Sequence, residues 1–313
     1  MDMRKMQACT FSLVSHPITN NEFSNKKQKN NLQSDLENSK LYAIAQARYP
    51  RIDFEMRNGD VEITISNGEF KSVGYIDILY LFEVNYPEYI DAILSGSQVL
   101  NFKTYSDPNC YFVIGIKDKS TGNMIREGMI EISAWQLLFH KSRGVRHIYG
   151  FDNYKDFFKL FIHYVGKTSR STYERLSKGH HARLNILSSE EPINREDLLS
   201  EELLILAFEV DAINIVKNPE VYSLDEIKID DVVDLVERSL ISSLMPKYND
   251  VKYKSHGEQF KKNSTLDSCC LTLNDNIQLF TDEAKICGKY DSSGLSDSDF
   301  IIIDESGISL TNI

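Results

Sequence analysis

The chain has 313 residues, 42% hydrophobic and 26% charged, which excludes global disorder and leaves room for a catalytic module plus a second domain. Its net charge of -11 argues against nucleic-acid binding only as an average, because residues 141–187 carry ten basic side chains against three acidic ones, whereas residues 264–313 carry nine acidic ones against two lysines. The five cysteines show no Cys-x-x-Cys spacing, so no zinc or redox motif is expected; with no signal peptide and no apolar run of membrane-spanning length, the sequence predicts a cytoplasmic protein with reduced thiols.

Residues 1–39, rich in Asn, Ser, Gln and Lys from Ser15 onward, are expected to form a flexible leader. A helix is predicted over 40–48, ended by Pro50. Strands follow over 61–66 and 69–74, with tight turns at Asn58-Gly59 and Asn67-Gly68. Helices over 77–84 and 87–94 lead to strands over 99–105, 111–116 and 124–133, separated by turns at 106–109 and 120–123, and a helix over 134–141 closes the region. Residues 40–141 therefore read as an N-terminal α+β domain, either a DNA-reading or partner-binding module or a folding scaffold.

Next come strands over 144–149 and 160–165 and a helix over 172–187. The long apolar segment 203–216 is divided between a helix end and a strand, and a helix over 230–244 is stopped by Pro246. That order predicts an α+β fold, a small mixed or antiparallel sheet flanked by helices, over 142–262. Residues 263–313 are expected to be an acidic, loosely ordered tail with at most one docked strand, 300–303.

Four short segments carry chemistry. They are His147-Ile148-Tyr149-Gly150, then Tyr164-Val165-Gly166-Lys167-Thr168, then Arg175 followed by His180-His181, and last Glu237-Arg238-Ser239-Leu240-Ile241 leading to Pro246-Lys247-Tyr248-Asn249. Cutting a phosphodiester needs a deprotonated water, neutralisation of charge on the phosphoryl oxygens and help for the leaving alkoxide. Arg175 offers a planar fork for nonbridging oxygens, and a tyrosine near Lys167 and Arg175 can serve as base. On a helix over 230–244, Glu237 shares the apolar face of Val233, Leu240 and Leu244, where a carboxylate needs a partner: a salt bridge or a metal ion. His180 and His181 are candidates for protonating the leaving oxygen or contacting backbone phosphate. His163 alternates with Tyr164 and reads as a packed core histidine. Exposed cations at Arg170, Lys178 and Arg183 are candidate DNA-phosphate contacts. A nucleotide phosphate loop ending at Lys167-Thr168 is excluded, because its first glycine would fall at Phe161.

In order and residue type these segments resemble the catalytic domain of the GIY-YIG nucleases, of restriction-endonuclease-like or homing-endonuclease-like kind, with His147 standing where the family has glycine. The resemblance implies a metal-dependent DNA endonuclease acting in restriction or phage defence. It implies one Mg2+ (or Mn2+) per site held by Glu237, with Tyr149, Tyr164, Lys167, Arg175, His180, His181, Glu237 and Asn249 in the catalytic set; either Tyr149 or Tyr164 would be the general base. The partner would be double-stranded DNA, and cutting both strands would call for a homodimer. The competing reading is an inactive module of the same kind that binds DNA or a protein partner.

Overall fold

The computed structural model describes residues 5–25, 29–57, 60–105, 111–216, 227–253, 266–290 and 298–311. The turns expected at Asn58-Gly59 and over 106–109 lie outside the described residues. The chain divides into two compact units, Met1–Ala47 with Phe158–Ile313, and Arg48–Phe157. The second unit is thus an insertion within the first, and residues 40–47 belong with the first unit instead of opening the second.

In the first unit the strands are β1 (Lys5–Leu13), β2 (Ile18–Thr19) and β3 (Leu41–Gln46) before the insertion. After it come β11 (Lys159–Lys167), β12 (Leu203–Val216), β13 (Ser268–Leu273), β14 (Gln278–Phe280), β15 (Lys285–Cys287), β16 (Phe300–Asp304) and β17 (Gly307–Thr311). Its helices are α1 (Asn20–Ser24), α2 (Lys29–Asp35), α6 (Thr172–Ser177), α7 (His181–Ser189), α8 (Leu199–Glu202) and α9 (Ile229–Leu244). The inserted unit holds β4 (Arg51–Arg57), β5 (Asp60–Ser66), β6 (Lys71–Ile76), β7 (Gln98–Tyr105), β8 (Tyr111–Asp118), β9 (Met124–Ser133) and β10 (Ile148–Gly150). Its helices are α3 (Ile78–Asn85), α4 (Ile90–Leu94) and α5 (Ala134–Ser142).

The expectation of a small sheet flanked by helices is overturned. The first unit is a mixed α/β fold on a large, nearly closed, barrel-like sheet ordered β15-β14-β11-β3-β12-β1-β13-β16-β17, with β2 paired to β12. Two readings of the termini caused the error. The supposed leader contributes β1, which pairs antiparallel with β12 and parallel with β13, and the supposed tail contributes five strands. A strand buried on both faces shows no period, which is why 40–48 read as a helix: all six residues of β3 are buried between β11 and β12. For the same reason the apolar run at the start of β12, Leu203 to Phe208, is strand and not helix end; only beyond Phe208 does the strand alternate.

The 172–187 helix is broken in two. Gly179 adopts φ +85°, which ends α6, and His180 caps α7 by accepting a hydrogen bond at Nδ1 from Arg183 N at 3.3 Å. Helix α9 is one unbroken element, burying Val232, Val233, Val236, Leu240, Ile241 and Leu244 against β11 and β12 and ending at Met245 in the left-handed region before Pro246.

Beyond Phe161, β14 no longer pairs with β11, and the turn over 246–249 takes over that edge. Tyr248 N donates to His163 O at 3.0 Å, Val165 N donates to Asn249 Oδ1 at 3.0 Å, and Asn249 Nδ2 donates to Val165 O at 2.7 Å. Asn249 therefore imitates a strand neighbour, satisfying buried main-chain groups that would otherwise cost free energy.

The inserted unit carries two antiparallel sheets, β10-β6-β5-β4 and β7-β8-β9, joined by packing of Phe54, Phe102 and Phe112 with centroids 5.2 to 6.0 Å apart. Its turns and caps follow sequence chemistry: Asn67 Oδ1 accepts from the main chain of Glu69 and Phe70 next to Gly68 at φ +82°, and Ser133 with Gln136 forms a capping box on α5. Among the described residues no helix is long and apolar enough to cross a membrane.

Candidate active site

One strand and three helices of the first unit, with the turn after the last helix, bring most of the candidate residues to one place. A cavity of about 420 Å3 is lined by Tyr164, Arg175, His180, His181, Glu237 and Asn249, together with Lys247, Tyr248, Asp250 and others. These residues come from β11, α6, the cap and first turn of α7, α9 and the turn after α9, so chain segments far apart in sequence converge here.

Two residues along β11 from Tyr164, Gly166 lies directly opposite Tyr42 in the β11/β3 ladder. A Cβ at Gly166 would meet Tyr164 Cε1 at 2.6 Å and Tyr42 OH at 2.8 Å, so the two phenol rings lie over a position that only glycine leaves open. Tyr42 is fully buried, with its ring 6.1 Å from that of Tyr164. A β-bulge between Ile162 and Tyr164 sends His163 to the other face, where it is 2% exposed and its Nε2 pairs with Gln46 Oε1 at 2.9 Å.

Because His180 Nδ1 accepts from the Arg183 main chain, the neutral ring carries its proton on Nε2 and donates to Tyr42 Oη, 2.9 Å away. The neighbouring Tyr42 and Tyr164 hydroxyls influence each other, raising the Tyr42 pKa and lowering that of Tyr164. Burial nevertheless dominates both phenols and holds them above the ordinary tyrosine value, against the lowering influence of Arg175. Burial, reinforced by Arg175, Arg183 and His181, depresses His180 to about 4, so it is a neutral hydrogen-bond donor at physiological pH.

Across the cavity Glu237 is 8% exposed, and its buried Oε2 has no hydrogen-bond partner. Burial raises its pKa, opposed chiefly by Lys167, whose Nζ stands 3.8 Å from Oε2. That lysine is engaged elsewhere: it forms a short ion pair with Asp234, which also binds Arg238 Nε at 2.8 Å. Among the described residues no group of three or more His, Cys, Asp or Glu could hold a metal ion. The donor set instead fits a hydrated Mg2+, which keeps most of its waters and needs one or two carboxylates; an unpartnered buried carboxylate oxygen facing a cavity is such a donor.

Other candidates stand apart from this cavity or have different partners. Tyr149 belongs to the inserted unit, where β10 pairs with β6, and it is 54% exposed; the strand beside β11 is β3, with Tyr42. His147 stacks on Tyr80 with centroids 5.3 Å apart. Arg183 is tied to α1, donating to Asn20 Oδ1 at 2.6 Å and Ser24 Oγ at 3.0 Å, with its guanidinium over the Phe23 ring. Arg170 and Lys178 are exposed, and His181 is exposed on the cavity wall. Glu190 pairs with Lys247 Nζ at 2.6 Å and accepts from Tyr248 OH at 2.5 Å, both on cavity-lining residues.

Sequence reasoning missed Tyr42 and Asp234. The signal for Tyr42 was the apolar-Tyr pair Leu41-Tyr42, hidden by the helical reading of its segment. For Asp234 it was the spacing of three and four from Glu237 and Arg238 on α9. In comparisons with protein-family models, with curated proteins and with solved structures, none matches this chain.

Proposed function

We propose that the protein is a divalent-metal-dependent endonuclease of GIY-YIG type that hydrolyses phosphodiester bonds of double-stranded DNA, in restriction or phage defence. The observation that carries this reading is the buried Glu237 Oε2, which accepts no hydrogen bond and has Lys167 Nζ only at 3.8 Å, facing a cavity that also presents Arg175, Tyr164 and His180. On this reading Tyr42, not Tyr149, is the first-strand tyrosine of the resemblance, and the unit Arg48–Phe157 is inserted between the two tyrosine strands.

Mg2+ (or Mn2+) held by Glu237 would supply charge neutralisation at the phosphoryl oxygens and acidify a bound water. Arg175 clamps a nonbridging oxygen. Tyr164, once its phenol has given its proton to solvent, takes the proton of the attacking water as a phenolate; the new P–O bond forms as the bond to the sugar oxygen breaks. That leaving oxygen takes a proton from solvent or from His181 at the cavity wall. Asn249 holds the β11 edge that positions Tyr164. A homodimer would place one such site on each strand, and a cytoplasmic setting would keep the thiols reduced.

Supercoiled plasmid incubated with Mg2+, without metal, and with Glu237→Gln tests the reading. We expect metal-dependent cutting, reduced at least a hundredfold by the substitution while DNA retention survives. Equal cutting by both proteins would remove Glu237 from the mechanism. DNA retention without cutting by the unsubstituted chain would favour a binding-only module.

A further inference from the structure

We infer that Asp234 is a positioning residue that draws Lys167 off Glu237 and so keeps that carboxylate open for a divalent cation; the inference rests on the metal-dependent reading above. Lys167 has two carboxylates in reach. It pairs closely with Asp234 Oδ1 and stays 3.8 Å from Glu237 Oε2, beyond hydrogen-bonding distance.

The two acids differ in their surroundings. The side chain of Glu237 is 10% exposed and that of Asp234 28%, and a desolvated carboxylate gains more from an ammonium partner than a wetter one does. Left to a choice between them, Lys167 would close on Glu237. Asp234 opposes that by combining close contact to Lys167 with a second ion pair to Arg238 Nε at 2.8 Å, one helical turn on. Lys167, Arg238, Asp234 and Glu237 sum to zero charge, but Glu237 Oε2 at the cavity wall accepts no hydrogen bond and holds its ammonium only at 3.8 Å.

Removing Asp234 therefore does more than delete a negative charge. It frees Lys167 to occupy the carboxylate oxygen that a cation would use, and metal must then displace an ammonium ion. A merely electrostatic role for Asp234 predicts a loss of metal affinity independent of Lys167. A positioning role predicts a loss that exists only while Lys167 is present.

The test is Mn2+ titration of the full chain without DNA, reading free Mn2+ by electron paramagnetic resonance. Asp234→Asn is expected to weaken binding at least tenfold, and Asp234→Glu to stay within about threefold of the unsubstituted protein. In a Lys167→Met background, adding Asp234→Asn should change affinity less than twofold. Thermal melts identify any variant that fails to fold, in which case Asp234→Ser replaces Asp234→Asn. Unchanged binding in Asp234→Asn, or the same loss with and without Lys167, would overturn the role of Asp234 while leaving the endonuclease reading intact. If Glu237→Gln binds Mn2+ as the unsubstituted chain does, the metal reading fails, and the inference falls with it.

Discussion

Gly166 shows how a single position can decide whether a site exists. The phenols of Tyr42 and Tyr164 lie beside each other over β11, and a methyl group at Gly166 would collide with both. Gly166→Ala should cost at least a hundredfold in cleavage while shifting the thermal midpoint by only a few degrees, because the clash is relieved by turning Tyr42 and Tyr164 rather than by unfolding β11. Melting curves alongside plasmid cleavage would show the split, and equal, small effects on both would count against the tyrosines. Since both phenols sit above the ordinary tyrosine value, the basic form of Tyr164 grows as pH rises. Cleavage should therefore increase with pH from 6 to 9, and a flat profile for the chemical step would exclude a phenol as base. Histidine ionisation acts on stability. His163 and His180, both depressed to about 4 by burial, bind protons more readily unfolded than folded between the unfolded value of 6.5 and that figure. Their contribution is present above pH 6.5 and is lost as pH falls toward 4, on the order of 3 kcal/mol for each buried ring. Thermal midpoints measured from pH 7 to pH 4 should fall steeply, and the fall should shrink in His163→Gln/His180→Gln.

At the level of elements, the turn over 246–249 replaces a missing strand along β11. Asn249→Ala should strand the N–H and C=O of Val165 and destabilise the protein by about 2 to 4 kcal/mol, with cleavage lost in proportion to displacement of Tyr164. Urea unfolding would measure this, and a cost below about 0.5 kcal/mol would mean that water repairs the edge. Periodic or capped elements were legible in the sequence: α9 from its apolar stripe, β5 to β9 from alternation and turns, α5 from its capping box. Elements buried on both faces were not, because β3 and the first half of β12 have no polar face to set a period. The segments from Tyr164 to Arg175 and from Glu237 to Asn249, singled out in the sequence by local pattern, come together around one cavity. Tyr42 was hidden because its strand partner lies across an inserted unit, and no local pattern marks such a pairing.

On the scale of the whole molecule, the inserted unit enters and leaves through adjacent strands, since Gln46 pairs with Phe161. Replacing residues 48–157 with a short Gly- and Asn-containing turn should leave a first unit that unfolds cooperatively and still binds Mn2+. If that shortened chain also cuts DNA with unchanged sequence preference, a DNA-reading role for the inserted unit is ruled out. The termini were misjudged because composition is a poor guide to β-structure whose partners are distant: β1 lies between β12 and β13, and the acidic C-terminal region supplies both ends of the same sheet.

The position of β1 also constrains how the protein is made. Made well before its partners, it must wait with both edges unpaired until β12, and then β13, have been synthesised. Meanwhile the inserted unit can fold alone, and once compact it turns the long connection between β3 and β11 into a short one, lowering the entropy lost on joining them. Assembly should then run from the inserted unit outward, with capture of the N-terminal strand as a late and aggregation-sensitive step.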